Sequence, residues 1–362
     1  MLAADLLGAM RKHVAIEAEA IGGARLEAAG ARIVVRTRGW ASLGPLAAAG
    51  KIPRLWTAMA RTALALRADP PDVVVLVDFG AFNLRFAKTL RLLGFTRPIV
   101  YYAPPAAWLD NAKRARQVAR LTDALTIFAH QAGFYRGLGL PIAFSGHPLV
   151  SRIVPRPPRP PAPPDGGHIA LLPGSRSGEI ARHVPRLLDA LALLRETRPA
   201  IEATIVAADD DARALVEHLL QMRKPLPLAI VSSAGSGEAA RGVLAQADAA
   251  IIASGTAVLE AALIGTPTVA LYVLAEAQAK MARRIYHGAY VTLPNLVLGE
   301  ALVPELLQSA AEADALAAET AALLDEPERQ RDGYARLRAA LGPPDALDRI
   351  ASWVLAAAAE RR

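Results

Sequence analysis

The stretch HIALLPGSRSGE, His168–Glu179, decides the fold. Its apolar run His168–Leu172 stops at Pro173-Gly174, and Ser175-Arg176 then open a segment with helical spacing through Leu188 and Leu194. An apolar run too short for a helix, a glycine turn and a periodic segment read as a buried parallel strand, a tight turn and a crossover helix. The pattern recurs downstream: strands are expected at Ile201–Ala207, Leu228–Val231, Ala249–Ala253 and Thr268–Leu274. Upstream, Val73–Val77 reads as a strand ending at Asp78, Phe82–Leu93 as a helix and Pro98–Tyr102 as the next strand. Strands alternating with helices on both sides of a proline run indicate an α/β chain of two doubly wound, Rossmann-like domains facing across a cleft. The run is PRPPRPPAPPDGG, Pro155–Gly167, stiff and unable to join a sheet. The expected organisation is an N-terminal domain over 1–150, a linker over 151–167, a second domain over 168–340 and a final helical segment over 341–362. That last segment is expected to pack back on the first domain, within an alanine- and leucine-rich helical tail beginning near Pro304.

Bulk properties exclude several classes. With 362 residues, 53% hydrophobic and 21% charged, the chain is globular and large enough for two cores. It has no cysteine, which removes disulfides, thiolate metal sites and cysteine nucleophiles together. The net charge of +7 suits a phosphorylated substrate or an anionic membrane face. Nucleic acid is set aside as a partner, because the basic residues are scattered and aromatics are only 5%. Met1–Lys12 lacks the layout of a signal peptide. Ala249–Leu274 is charged only at Glu260, but Ser254-Gly255-Thr256 and Gly265-Thr266-Pro267 divide it into strand, helix and strand.

Four constellations carry candidate chemistry. Gly174, Ser175 and Arg176 stand where a strand meets a helix start, and backbone N–H groups with a guanidinium there suit a phosphate. A capped helix start beside a solvated arginine is the alternative. Ser254, Gly255 and Thr256 repeat the arrangement, with Glu260 one turn on as an acceptor for ribose hydroxyls; an ordinary N-cap and a helix charge are the alternative. Asp78 ends an apolar strand on the sheet edge where ligands sit, as a candidate general base or a turn aspartate. His147, in Phe144–Leu149, is a candidate acid, base or phosphate ligand, or a buttress beside the linker. Asp209-Asp210-Asp211 imitates a metal clamp but is read as a helix cap, and the seven histidines lack ligand spacing, so no metal site is expected.

In this order, the blocks resemble the bacterial lipid-A-disaccharide synthase family. The similarity runs through Ile21–Gly30, Asp78 with Phe82-Asn83, Phe144–Leu149, Pro173–Arg176, Ser254–Glu260, Leu293–Leu296 with Asn295, and Pro304–Gln308 with Glu305 and Gln308. The resemblance implies a GT-B glycosyltransferase that needs no cofactor or metal. Its donor is UDP-diacylglucosamine and its acceptor diacylglucosamine 1-phosphate, joined through a β-1,6 bond with inversion. Asp78 is the implied base. Gly174, Ser175, Arg176, Ser254, Gly255, Thr256, Glu260 and Asn295 are implied to hold the donor, with Asn83, His147, Glu305 and Gln308 supporting. A cytoplasmic enzyme peripheral on the inner membrane is implied, with room for a homodimer. Gly39–Leu46 with Lys51, Arg54 and Trp56 is the expected docking segment, and a buried helix pair is the alternative.

The departures from the family lie in the N-terminal half. Met1–Ala9 matches only the end of the family's opening glycine loop, so the first strand is expected upstream of Met1. Ala81 stands where the family has an aspartate, Trp108-Leu109-Asp110-Asn111 replaces a tryptophan- and arginine-rich segment, and Gln131 replaces a glutamate. Two further readings follow. One is another GT-B transferase or epimerase acting on an unacylated UDP-sugar. The other is a paralogue that binds UDP-sugar or lipid without turnover.

Overall fold

The structure, a computed structural model, describes residues 1–37, 52–105, 111–223, 225–233, 237–286 and 288–359. The chain divides into two compact units, Met1–Ser151 with Leu341–Arg362, and Arg152–Ala340. All strand pairing among the described residues is parallel.

The first unit starts with α1 (Leu2–Arg11), β1 (Glu19–Gly22), α2 (Ala24–Ala28), β2 (Arg32–Arg36) and α3 (Ile52–Ala68). It continues with β3 (Val74–Val77), α4 (Gly80–Leu92), β4 (Ile99–Tyr102), α5 (Ala112–Leu121), β5 (Asp123–Thr126), α6 (Ala129–Gly137), β6 (Ala143–Phe144) and α7 (Pro148–Arg152). β1 and β2 pair with each other, while β3-β4-β5-β6 form a separate four-stranded sheet. Phe82, Phe86, Leu90, Ile99 and Tyr101 centre the core, against which Ile21 of β1 also packs. β3 and β4 end where the sequence pattern places them and begin one residue later, at Val74 and Ile99.

The second unit holds β7 (Gly166–Leu172), α8 (Ser177–Thr197), β8 (Ala200–Ala207), α9 (Asp210–Gln221), β9 (Ala229–Ser232), α10 (Glu238–Gln246) and β10 (Ala249–Ala253). Then come α11 (Thr256–Ile264), β11 (Thr268–Tyr272), α12 (Glu276–Ile285), α13 (Leu293–Leu298), β12 (Glu305–Leu307), α14 (Ala313–Asp325) and α15 (Glu328–Leu341). The sheet order is β12-β11-β10-β7-β8-β9. The winding therefore reverses between β7 and β10, the switch point of a doubly wound sheet, where a crevice opens beyond the strand carboxyl ends. β10 is buried along its whole length, and Ile169, Leu171, Val184, Leu187, Ile205, Ile251 and Leu271 share one core.

Three further boundaries differ from the sequence reading. The unit boundary falls at Ser151/Arg152, before the prolines, and the proline run belongs to the second unit. Its few remaining amides explain this: Arg156 N–H donates to Ile264 O at 2.8 Å and Ala162 N–H to Leu324 O at 3.2 Å, which docks the run along the unit. Strand β7 begins at Gly166 rather than His168. The region after Pro304 is not helical throughout, because β12 pairs with β11 through Leu306↔Leu271; three residues are too few to show a strand period. The last helix, α16 (Ala346–Ala359), packs on α1 in the first unit. The apolar stretch Ala249–Leu274 is β10, α11 and β11, and no helix among the described residues is long and apolar enough to cross a membrane.

Candidate functional site

Adjacent strands β7 and β10 run in register, Leu172 beside Ile252, so the turns that follow them emerge side by side. Gly174 has φ +106°, a conformation that L side chains rarely adopt. A Cβ there would meet Glu179 Oε2 at 2.8 Å and Ala253 Cβ at 3.5 Å, which measures how closely the two turns approach. Ser175 and Arg176 are exposed at the amino end of α8. Beside them Ser254 N–H donates to Leu271 O at 2.9 Å, extending the ladder by one residue before Gly255 caps α11. Gly255 has an extended backbone, φ 162°, and its Cβ position meets nothing nearer than Ala253 O at 4.0 Å. Nothing in the protein's own packing requires glycine at 255. Gly255 and Thr256 are exposed. Two helix amino termini and a guanidinium converge on one patch, a positive cradle suited to a diphosphate.

The buried groups beneath this patch were not singled out from sequence. Glu179, 7% exposed, accepts from Arg176 Nη1 at 2.5 Å and from the Tyr272 hydroxyl at 3.0 Å. His183, fully buried on α8, bonds Pro173 O through Nδ1 at 2.7 Å and accepts the Val273 N–H on Nε2 at 3.0 Å. Burial pushes its pKa below the ordinary histidine value. A glutamate one turn into a helix looks like an ordinary first-turn charge, and Tyr272 is 93 positions away, so only the sheet order brings them together.

Other candidates in the second unit have partners of their own. Glu260, 8% exposed, lies 3.4 Å from Arg241. Asn295, 1% exposed, donates to Val303 O and to Glu305 Oε1 and accepts from Val303 N–H, so its amide is engaged within the fold. Glu305 also accepts from Val291 N–H, Thr292 N–H and the Thr292 hydroxyl. Both residues pin the 291–305 loop. Gln308 follows β12 with φ +55°. Asp209 caps α9, accepting from Ala212 N–H at 2.8 Å. Among the described residues no group of three His, Asp or Glu side chains is arranged to hold a metal ion.

In the first unit, Asp78 follows β3 at φ +48°, and Phe79 is also left-handed at +37°. Two consecutive non-glycine residues in that region cost about 1–3 kcal/mol each and are held only by surrounding contacts. Those contacts are visible. Asn83 Nδ2 donates to Val77 O and Asp78 O at 2.9 and 2.8 Å, and the buried Tyr101 hydroxyl donates to Asp78 O at 2.9 Å. Pro105 sits against Gly80, and the Gln131 amide holds Pro105 by donating to its carbonyl at 3.0 Å. The side-chain surface of Asp78 is exposed, yet protein packed around the carboxyl raises its pKa above the ordinary value through desolvation, against a lowering bond from the Phe79 backbone. His147 is 4% exposed, accepts Leu149 N–H on Nδ1 and has its pKa pushed down to about 4 by burial. It is a neutral core histidine, buttressing the chain rather than offering charge to a phosphate. Gly39–Leu46, Lys51 and Trp108–Asp110 lie outside the described residues, as do the side chains of Arg54 and Ala81.

A cavity of about 430 Å³, lined by His168, Arg195, Ala200 and Ala229, opens at the amino ends of β7, β8 and β9, away from both glycine turns. Its position at the wrong end of the strands argues against donor binding there.

Residues 1–341 match the family model described as lipid-A-disaccharide synthetase. A lipid-A-disaccharide synthase of Pseudomonas aeruginosa (strain UCBPP-PA14) is 35% identical over 349 residues, 94% of this chain and 90% of that protein. One of Geobacter metallireducens is 32% identical over 353 residues, again 94% and 90%. Among solved structures, UDP-GlcNAc 2-epimerase from Neisseria meningitidis bound to UDP-GlcNAc superposes with TM-score 0.65 at 11% identity, over 98% of this chain and 95% of that one. The rhamnosyltransferase SpnG complexed with thymidine diphosphate gives 0.52 at 17% identity, over 96% and 95%. The structural likeness shows the fold, two parallel α/β units of the GT-B kind.

Proposed function

From the premise that this chain belongs to the lipid-A-disaccharide synthase family, we propose that it transfers diacylglucosamine from UDP to diacylglucosamine 1-phosphate, with Asp78 as base and the paired glycine turns as diphosphate cradle. Members of this family are glycosyltransferases that make the lipid A disaccharide, and the finer assignments rest on the geometry above. The 6-hydroxyl oxygen of the acceptor attacks the donor's anomeric carbon while its proton passes to the Asp78 carboxylate. The bond from that carbon to the diphosphate oxygen breaks in the same displacement, inverting the centre and releasing UDP. Charge growing on the diphosphate is met by Arg176, by the Ser175 and Ser254 hydroxyls, and by the amides around Gly255 and Thr256. Preorganised donors of this kind contribute about 3 kcal/mol each to lowering a barrier. Glu260 is assigned to the ribose hydroxyls.

The observation that carries this reading is the side-by-side emergence of Gly174–Arg176 and Ser254–Thr256 at the β7/β10 switch point. Gly255 adds to it, a glycine that neither backbone strain nor internal packing demands. Both substrates carry acyl chains, so peripheral contact with the cytoplasmic face of a membrane belongs to the proposal. Trp56 and Leu64, 53% and 57% exposed on α3 with Arg61 and Arg67 nearby in sequence, provide apolar and basic side chains for it. The test is turnover with both acylated substrates. The unaltered chain should yield disaccharide and UDP, and Asp78→Asn should cut kcat by about 10²–10⁴-fold while UDP still binds. No disaccharide from the unaltered chain would remove the transferase reading, and an undiminished Asp78→Asn enzyme would remove Asp78 as base.

A further inference from the structure

Arg176 has an exposed side chain, and an unrestrained arginine loses much rotamer freedom when it grips a ligand. Here the guanidinium is already held. Glu179 is almost fully buried, and its Oε1 receives both Arg176 Nη1 and the Tyr272 hydroxyl. Tyr272 ends β11, two strands from β7, so this bridge spans the turn that follows β10. His183 makes a second tie across the same gap, from Pro173 O on the arginine's own turn to Val273 N–H beyond β11. Because Nε2 accepts the Val273 N–H, the ring is neutral, with its proton on Nδ1 donated to Pro173 O. The His183 and Tyr272 rings pack at 5.8 Å, and Arg182 Nε donates to Val273 O at 2.8 Å. The tyrosine, glutamate and histidine thus join the two outer turns around the central one.

We infer that Glu179, Tyr272 and His183 are positioning residues for the donor diphosphate: a buried brace that presets the Arg176 guanidinium and the Pro173–Arg176 turn before ligand arrives. This deepens the proposed function and rests on its donor site. The brace touches no reacting atom and acts through Arg176. Glu179 takes an N–H of Nη1 at the edge of the guanidinium, leaving the remaining N–H groups to a phosphate in a fork geometry.

A double-mutant cycle tests it, read by calorimetric titration of the full chain with UDP. Arg176→Ala should weaken UDP by about 10- to 100-fold, as expected for a lost charged hydrogen bond. Tyr272→Phe should weaken it by about five- to tenfold with the unfolding temperature unchanged, since only one hydroxyl is lost from a half-buried ring. In the Arg176→Ala background, Tyr272→Phe should cost nothing more, within about twofold. Glu179→Gln, which keeps an acceptor for the tyrosine but drops the charge, should fall between Tyr272→Phe and Arg176→Ala. A Tyr272→Phe loss that multiplies undiminished onto Arg176→Ala overturns the brace, as does a Tyr272→Phe chain that binds like the parent. In either case the donor site itself stands. An unaltered chain that does not bind UDP overturns the donor site and the brace with it.

Discussion

Gly255→Ala separates the diphosphate cradle from a merely well-formed helix start. The backbone at 255 has φ 162°, extended and open to any residue, and the nearest atom to a new methyl is Ala253 O at 4.0 Å. In the ligand-free protein the change therefore adds no clash or torsional strain. The reduced freedom of the unfolded chain favours alanine by about 0.4–1 kcal/mol, and the preference of a helix N-cap for glycine over alanine opposes it by a similar amount, so Tm should change little. The bound state behaves differently. A phosphate oxygen accepting from the Thr256 amide would share space with the methyl and be pushed out of hydrogen-bonding range. Losing one charge-assisted bond costs about 1.5–3 kcal/mol, a rise of about 10- to 150-fold in the UDP Kd. Gly174→Ala is the contrast: φ +106° and contact with Glu179 Oε2 at 2.8 Å make it strained in the free protein, so it should lower both Tm and affinity. Differential scanning calorimetry and UDP titration on both variants provide the readout. A Gly255→Ala chain that binds UDP within twofold of the parent would refute the reasoning, since no diphosphate oxygen could then lie against that turn.

Three other outcomes follow from the structure. As the proposed base Asp78 must be a carboxylate, so activity should be present above its pKa and lost as pH falls through it. Because desolvation raises that pKa, the acidic limb of kcat/KM should lie above the ordinary aspartate value of 3.8 and vanish from the residual activity of Asp78→Asn. His147 is neutral in the fold with a pKa of about 4, against 6.5 when free, so the unfolded chain binds the extra proton. Its contribution is intact above pH 6.5 and lost between 6.5 and 4, up to about 3 kcal/mol; His147→Gln should flatten the chemical-denaturation stability profile in that window. Trp56→Ser with Leu64→Ser should weaken sedimentation with anionic phospholipid vesicles by at least about tenfold, at about 1.5 kcal/mol or more per lost apolar side chain, and unchanged sedimentation would remove α3 from the membrane contact.

The second unit was the more legible half. Its strands are apolar runs bounded by glycine, proline or aspartate, and buried parallel strands announce themselves in that way. The turns at Gly174 and Gly255 were readable for the same reason, since each interrupts such a run with small or hydroxylated residues. What escaped was whatever depends on strand order. Nothing local in Tyr272 or His183 tells that β11 lies two places from β7, and Glu179 reads as a helix-start charge. Asn295 and Glu305 show a further dependence on tertiary structure. They fall in motif-like segments, yet their polar atoms close a loop with Val291, Thr292 and Val303. In the first unit, the left-handed pair Asp78-Phe79 has no glycine to betray it; it is imposed by Asn83 and Tyr101. Composition marks the proline run as a stiff linker, whereas its attachment depends on two amides and the carbonyls they find at the ends of two helices distant in sequence, Ile264 of α11 and Leu324 of α14.

The polypeptide leaves its first unit at Ser151 and returns at Leu341, so the second unit is an insertion nested inside the first. On a ribosome this inverts the usual order of completion, in which the earlier segment finishes folding first. The inner domain has all of its sequence once residue 340 has emerged, while the outer one still lacks α16, the helix that packs on α1. A nascent chain at that stage therefore carries a finished inner unit on an unfinished outer one. For the same reason 152–340 can be excised as one contiguous piece, whereas the outer domain can be isolated only by splicing its two ends together.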